Sequence, residues 1–545
     1  MIEVRPTPGA LERYYRDGSW RRETIAELIA RQVARHPGKL AIKDSAGNSL
    51  SYRELEEKAA RLSAFLKLGN VRHGDVVTVQ LPNCCEIAIV VYAAYKLGAV
   101  IHPVPITYGR HDLEYGLRKC NSKAVVIAGC FRNVDHTEML QRIIREGGLD
   151  PLTVVVGQGS ANVGISFEDA LDTLPLEKGA SCSSDDPAVV LFTSGTESNP
   201  KGVVHTHNTI LFGERALAER LGLTCDDVCF MASPLTHTTG YTHGLILNLT
   251  TGAMLTVMDR FSGARAVEIM DADRATWTMG ATVFLGDTVA VLEEKGRRLP
   301  QLRYFLCGGA PIPEGVVRRA QSAGVRVLPI YGSTESSPHT LMPPEAPLAA
   351  SWEWDGQTLP GIEVKIVDGQ GKSLPPGAPG EECSRGPNVF LGYLGEPGLT
   401  ARTIDEEGWY HSGDLALHDG NGAVRIIGRL KDVIIRGGQN ISVREIEDLL
   451  ASHPDLHEAA IVGIPDDRLG ELVAAALVMK PGVPPLGVEG IAGFLLERGT
   501  TKFKLPQRVA VVGELPRTPS GKIQKYLIRK KFSEVARDEV SYPGM

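Results

Sequence analysis

Short, largely apolar runs recur along the chain: AVVIA at 124–128, LTVVV at 152–156, AVVLF at 188–192 and VRVLPIYG at 325–332. Runs of that kind predict strands buried on both faces, as in a parallel sheet. The stretches between them carry helical spacing. SYRELEEKAARLSAFL opens with Ser51 and Glu54 at the separation of a capping box, after which Leu55, Ala59, Leu62 and Leu66 fall on one face. EIAIVVYAAYKLGAV (86–100) is apolar on nearly every side and predicts a core helix; broken by Lys96, it is shorter than the ~20 residues of a membrane span. Strands alternating with helices predict a largely parallel α/β architecture, in which ligands gather at the loops leaving the strands' carboxyl ends.

The pattern changes near residue 360. LPGIEVKIVDGQGKSLPPGAPGEECSRG is rich in Gly and Pro with short strands between turns, which predicts an antiparallel region. Beyond IIGRLKDVIIRGGQN (426–440) come the helix VREIEDLLASH, capped by Ser442 with Glu445, then EAAIVGI, ELVAAALVM and a basic helix. These predict a small α+β domain over 430–545 after a large domain over 1–429. A chain of 545 residues is well past the ~250–300 at which one core stops growing, so at least two domains are expected.

Composition narrows the chemistry. With 43% hydrophobic and 23% charged residues the chain reads as soluble and globular, and its net charge of −7 argues against nucleic acid or a membrane surface as partner. An anionic ligand must be met locally. Nine cysteines, an odd number without zinc-site spacing, read as reduced thiols of a cytoplasmic protein. The charged N-terminal stretch has no apolar segment of the secretory kind.

One local cradle is TSGTESNPKG (193–202), directly after the AVVLF strand. Backbone N–H groups and the hydroxyls of Thr193, Ser194 and Thr196, with Gly195 for close approach and Lys201 as a point charge, could hold a polyphosphate. The spacing is not that of a Walker A loop, because no Ser or Thr follows Lys201. A plain surface loop is the alternative reading of this stretch alone.

Four further stretches, YGSTESSP (331–338), HSGDLA (411–416), GRLKDVIIRGGQNI (428–441) and RTPSGKI (517–523), follow in order. Together with the cradle they resemble the core signatures of the adenylate-forming superfamily of acyl-CoA synthetases, adenylation domains and luciferases. The resemblance implies a large N-terminal domain, with two mostly parallel sheets, helices and a distorted β-barrel, and a small mobile α+β domain. It implies that the 193–202 turn holds ATP phosphates, although Glu197 and Ser198 stand where Thr and Gly are usual. It implies that Tyr331, beside Gly332, stacks on adenine in a pocket lined by Gly308, Gly309 and Ala310. Thr334 then meets the α phosphate, Glu335 holds Mg²⁺, and Asp414 with Arg429 meets the ribose. Lys522 becomes the catalytic lysine, Lys431 the hinge, Gly437 and Gly438 the walls of a coenzyme A tunnel, His237 the gate for the carboxylate and Gly280 a space-leaving wall of the acyl pocket.

The implied reaction is ATP-dependent: a small carboxylic acid becomes an acyl adenylate with loss of pyrophosphate, and CoA then displaces AMP. Within the superfamily the SGTES and SSPHT texts are most like short- to medium-chain or alicyclic acyl-CoA synthetases, such as cyclohexanecarboxylate–CoA ligases. Aryl-acid ligases, acyl-AMP ligases that load a carrier protein, and a silent ligand-binding paralogue stay open as alternatives, as does a homodimer.

Overall fold

The computed structural model describes residues 8–159, 161–193, 200–436, 439–466, 468–518 and 521–535. Two large sheets carry most of the chain before residue 360. The first, of eight strands, runs Gly392–Tyr393, Lys201–Thr206, Pro187–Thr193, Val100–Pro103, Val76–Gln80, Ala124–Ala128, Leu152–Val156, Ile165–Ser166. It is parallel from Pro187–Thr193 onward, and the first two strands are antiparallel. The second, of nine strands, has a parallel centre of Leu40–Asp44, Met254–Val257, Val228–Met231, Trp277–Gly280, Tyr304–Cys307 and Val327–Tyr331, with antiparallel strands at both edges. The apolar runs at 124–128, 152–156 and 188–192 are thus interior strands, and the run at 325–332 contributes Val327–Tyr331.

Helices Tyr52–Leu68 and Cys85–Lys96 lie in one core with side chains from both sheets, including Val77, Ile101, Leu191, Leu255 and Trp277. Residues 87–95 are all buried, so this helix is apolar all round because it has no solvent face. The apolar run extends to 100, but the helix stops at Lys96. Gly98 adopts φ +66°, which ends the helix and turns the chain into the Val100–Pro103 strand. At the start of Tyr52–Leu68, Ser51 Oγ accepts from Glu54 N and Glu54 Oε2 accepts from Ser51 N at 2.7 Å, the expected capping box.

Where the resemblance implies a distorted barrel, a four-stranded antiparallel ladder runs Glu363–Val367, Gly380–Arg385, Tyr410–His418, Val424–Arg429. After it comes a five-stranded sheet built on the long hairpin Leu456–Asp466 and Gly470–Met479, with Arg508–Val511 parallel to its second strand. Alternate residues of the hairpin enter different cores: Ile461, Val473 and Leu477 pack with helices Val443–Leu450 and Val488–Glu497, while Val462, Ala474 and Ala476 pack with Leu515 and Ile528. Both faces are covered, so EAAIVGI and ELVAAALVM read as unbroken apolar text. All nine cysteines are free thiols. Among the described residues, no helix is long and apolar enough to cross a membrane.

Candidate active site

The site assembles where the two sheets, the four-stranded ladder and the C-terminal segment meet. Thr193 and Lys201 are cross-strand partners on Pro187–Thr193 and Lys201–Thr206, so the phosphate-cradle text is the connection between two paired strands. Ser194, Gly195 and Thr196, with Glu197 and Ser198, lie outside the described residues, as do Gly437 and Gly438. Lys201 Nζ lies 5.5 Å from the centroid of the Tyr393 ring.

Tyr331 ends its strand and passes the chain to Thr334 and Glu335. The Thr334 carbonyl accepts from His205 Nε2 at 2.7 Å, and its hydroxyl lies 2.9 Å from the Thr238 hydroxyl. His205 is buried, and that burial pushes its pKa down to about 4 despite the bond to the carbonyl; it is a neutral donor. Glu335 is held at both ends by one segment: Phe390 N donates to its carbonyl at 2.8 Å and Tyr393 Oη donates to its Oε1 at 2.8 Å.

The Tyr331 hydroxyl donates to Asp414 Oδ2 at 2.8 Å, and Arg429 Nε meets Asp414 Oδ1 at 3.0 Å. Asp414 and Arg429 are partners on adjacent ladder strands, which is why residues fifteen positions apart act as a pair. Burial raises the Asp414 pKa, and Arg429 and the Tyr331 hydroxyl oppose the rise. Gly332 packs closely, since a Cβ there would lie 3.2 Å from the Ser336 carbonyl oxygen. At Gly308 the backbone approach is closer, and a Cβ would fall 2.3 Å from the Ile330 oxygen. Ala310 is exposed.

Lys522 reaches this group from the far end of the chain. A Cβ on Gly309, which adopts φ +81°, would lie 3.0 Å from Lys522 Cε, so glycine leaves room for the lysine stem. Lys522 is exposed, yet the protein packed around it lowers its pKa, with Arg429 adding to the fall and Asp414 and Glu335 opposing it. His237 stands near enough for the Lys522 charge to join burial in pushing its pKa down to about 4. Its Nδ1 is buried without a hydrogen bond among the described residues.

Lys431 lies in the short 3₁₀ turn Leu430–Asp432, directly after Arg429. At Gly280 a Cβ would lie 2.9 Å from the Phe284 ring, so the glycine lets Phe284 pack closely there. The structure therefore brings together Lys201, Thr334, Glu335, Tyr331, Asp414, Arg429, Gly309, His237 and Lys522. Sequence reasoning missed Tyr393, His205 and Thr238. Tyr393 stands in the apolar text NVFLGYLGEP and reads there as packing; nothing local marks its distant partners.

A family model described as AMP-binding enzyme matches residues 29–394, more than half of the chain, and one described as AMP-binding enzyme C-terminal domain matches 445–522. The chain belongs to the AMP-binding enzyme family. Within that family, the medium-chain fatty-acid–CoA ligase of Escherichia coli (strain K12) is 40% identical over 521 residues, covering 95% of this chain and 92% of its own. A 3-[(3aS,4S,7aS)-7a-methyl-1,5-dioxo-octahydro-1H-inden-4-yl]propanoyl:CoA ligase of Rhodococcus jostii (strain RHA1) is 32% identical, covering 93% and 99%. Among solved structures, ATP-bound MatB from Rhodopseudomonas palustris superposes with a TM-score of 0.83 at 29% identity, over 94% of this chain and all of that one. Its apo form, at the same identity and coverage, gives 0.72. This member of the AMP-binding family is therefore nearer in overall arrangement to the ATP-bound form.

Proposed function

We propose that this AMP-binding enzyme is an acid–thiol ligase that joins ATP to a small aliphatic carboxylic acid, releases pyrophosphate, and passes the acyl group of the resulting adenylate to coenzyme A. The observation that carries this reading is the approach of Lys522, more than two hundred residues from Gly309 in sequence, to the Gly309 backbone and the charges of Asp414 and Glu335. A carboxylate attacking a phosphate joins two anions, and an ammonium delivered to that point offsets the accumulating charge. Lys522 is the catalytic residue in this reading.

The other roles are those the resemblance implies, supported by the local geometry. Lys201 and the cradle before it hold the β and γ phosphates. Thr334, fixed through both its carbonyl and its hydroxyl, presents the α phosphate contact. Asp414 accepts from the ribose hydroxyls, with Arg429 keeping it ionised against the cost of burial. Tyr331, Gly308, Gly309 and Ala310 line the base. His237, neutral at pH 7, leaves the acid's entry free of a competing cation. Glu335 fits Mg²⁺: its Oε2 carries no hydrogen bond among the described residues, and a hard carboxylate oxygen suits that ion. Bound there, Mg²⁺ would neutralise phosphate charge.

The second half-reaction needs different groups at the same acyl carbon. We place the division of the chain after Arg429, with Lys431 as the hinge about which 430–545 turns, and Gly437 and Gly438 along the path of the CoA arm. A medium-chain acid is favoured by the 40% identity to a ligase of that name. The cytoplasm, where ATP and CoA are both available, is the proposed location. Pyrophosphate release with C4 to C12, cyclic and aromatic acids, with and without CoA, tests the reading. Release with an aliphatic acid and multiple turnovers with CoA are expected. No release with any acid overturns it.

A further inference from the structure

We propose that Tyr393 is a positioning residue that holds the metal-binding carboxylate Glu335 in register with the phosphate lysine Lys201. This rests on the roles given to those two residues above.

The placement is built from the backbone outward. Gly392–Tyr393 is the edge strand beside Lys201–Thr206, with Val203 opposite Tyr393 and Val204 opposite Gly392. Leu391 N donates to the Val204 carbonyl at 2.9 Å and Leu394 N to the Gly202 carbonyl at 2.8 Å. Tyr393 is thus laddered to the strand that begins with Lys201. A second anchor comes from Thr400, whose hydroxyl accepts from Tyr393 N at 2.9 Å; a Cβ on Gly392 would meet that side chain at 2.7 Å, so the strand can sit against Thr400 only because residue 392 is glycine.

From this base the side chain reaches both charged residues. Its ring lies 5.5 Å from Lys201 Nζ, within cation–π range, and its hydroxyl donates to Glu335 Oε1 at 2.8 Å. Tyr393 is buried. The lysine and the carboxylate thus share one fixed neighbour, the Tyr393 side chain. Pinning Oε1 also fixes the carboxylate plane and leaves Oε2 to face a cation. Outer-shell hydrogen bonds of this kind orient ligating groups and change metal affinity by about tenfold to a hundredfold when lost.

Tyr393→Phe keeps the ring and its volume and removes the hydroxyl. The half-saturating Mg²⁺ concentration for pyrophosphate release should rise about tenfold at fixed ATP, with the rate at saturating Mg²⁺ falling by no more than about twofold. Mn²⁺ binding to the protein–ATP complex, read by electron paramagnetic resonance, should weaken by the same factor. Tyr393→Leu, which also removes the ring, should in addition raise KM for ATP. Glu335→Gln separates this proposal from the reading beneath it. If Glu335→Gln weakens Mn²⁺ binding and Tyr393→Phe does not, or tightens it, the role of Tyr393 is overturned alone. If Glu335→Gln leaves Mn²⁺ binding and Mg²⁺ dependence unchanged, the reading of Glu335 is overturned and the Tyr393 proposal with it.

Discussion

Among the contacts that join the C-terminal segment to the large part of the chain, the Arg444 guanidinium makes a clasp of its own. Arg444, on helix Val443–Leu450, reaches Asp355 Oδ2 at 3.2 Å and bonds the Ile426 carbonyl, while Ile426 N donates to the same Asp355 oxygen at 2.8 Å. Ser442 Oγ adds a bond to the Ile427 carbonyl at 2.9 Å. The Arg444 and Asp355 side chains are 13% and 16% exposed, so the pair lies between a surface pair and a buried one. Breaking a buried pair on one side costs about 3–5 kcal/mol and a surface pair contributes about 0–1, which sets the expected loss near 2 kcal/mol. That is roughly a thirtyfold fall in the closed arrangement relative to any arrangement that does not use the clasp. Arg444→Met should therefore slow adenylate formation by up to about thirtyfold while leaving acyl-CoA formation from a synthetic adenylate unchanged or faster. Pyrophosphate release and thioester formation measured separately read the two. A variant that adenylates at the wild-type rate, or loses both half-reactions equally, refutes the reasoning, and Asp355→Asn combined with Arg444→Met should cost less than the two single losses added.

Lys522→Ala should abolish adenylate formation and leave thioester formation from pre-made adenylate largely intact; equal loss in both removes its catalytic role. Lys431→Pro, by stiffening the turn after Arg429, should spare the first half-reaction and block the second, and unchanged overall turnover would exclude rotation about that point. Burial lowers the pKa of His102 to about 3 and of His205 and His207 to about 4. The unfolded chain binds the extra protons, so stability is full above pH 6.5 and falls as the pH drops toward 4, by up to about 1.4 kcal/mol per histidine per pH unit. Thermal midpoints from pH 7.5 to 5 should follow that slope, and His205→Gln should flatten it; an identical slope in the variant contradicts the account.

Sequence reading succeeded where the physics is local. The capping box at Ser51 and Glu54 needs only three residues' separation, and the apolar text of residues 87–95 can only be a helix with no wet side. Asp414 and Arg429 came from motif text, and the ladder that joins them supplies the reason they are a pair. The failures are long-range. Tyr393 meets Glu335 and Lys201 through strand pairing that no window of sequence contains, and His205 reads as one polar residue in an apolar strand although its ring fixes the Thr334 carbonyl. At Gly280 the text shows a glycine, and only packing shows that the Phe284 ring sits close against it.

Because Thr193 and Lys201 face each other across paired strands, the seven residues between them start and finish at a separation the sheet dictates. If the interval has the phosphate-holding role proposed for it, substitutions there, the acidic Glu197 among them, act on a segment whose two ends are held by strand pairing. Its mooring belongs to the sheet and not to the residues between.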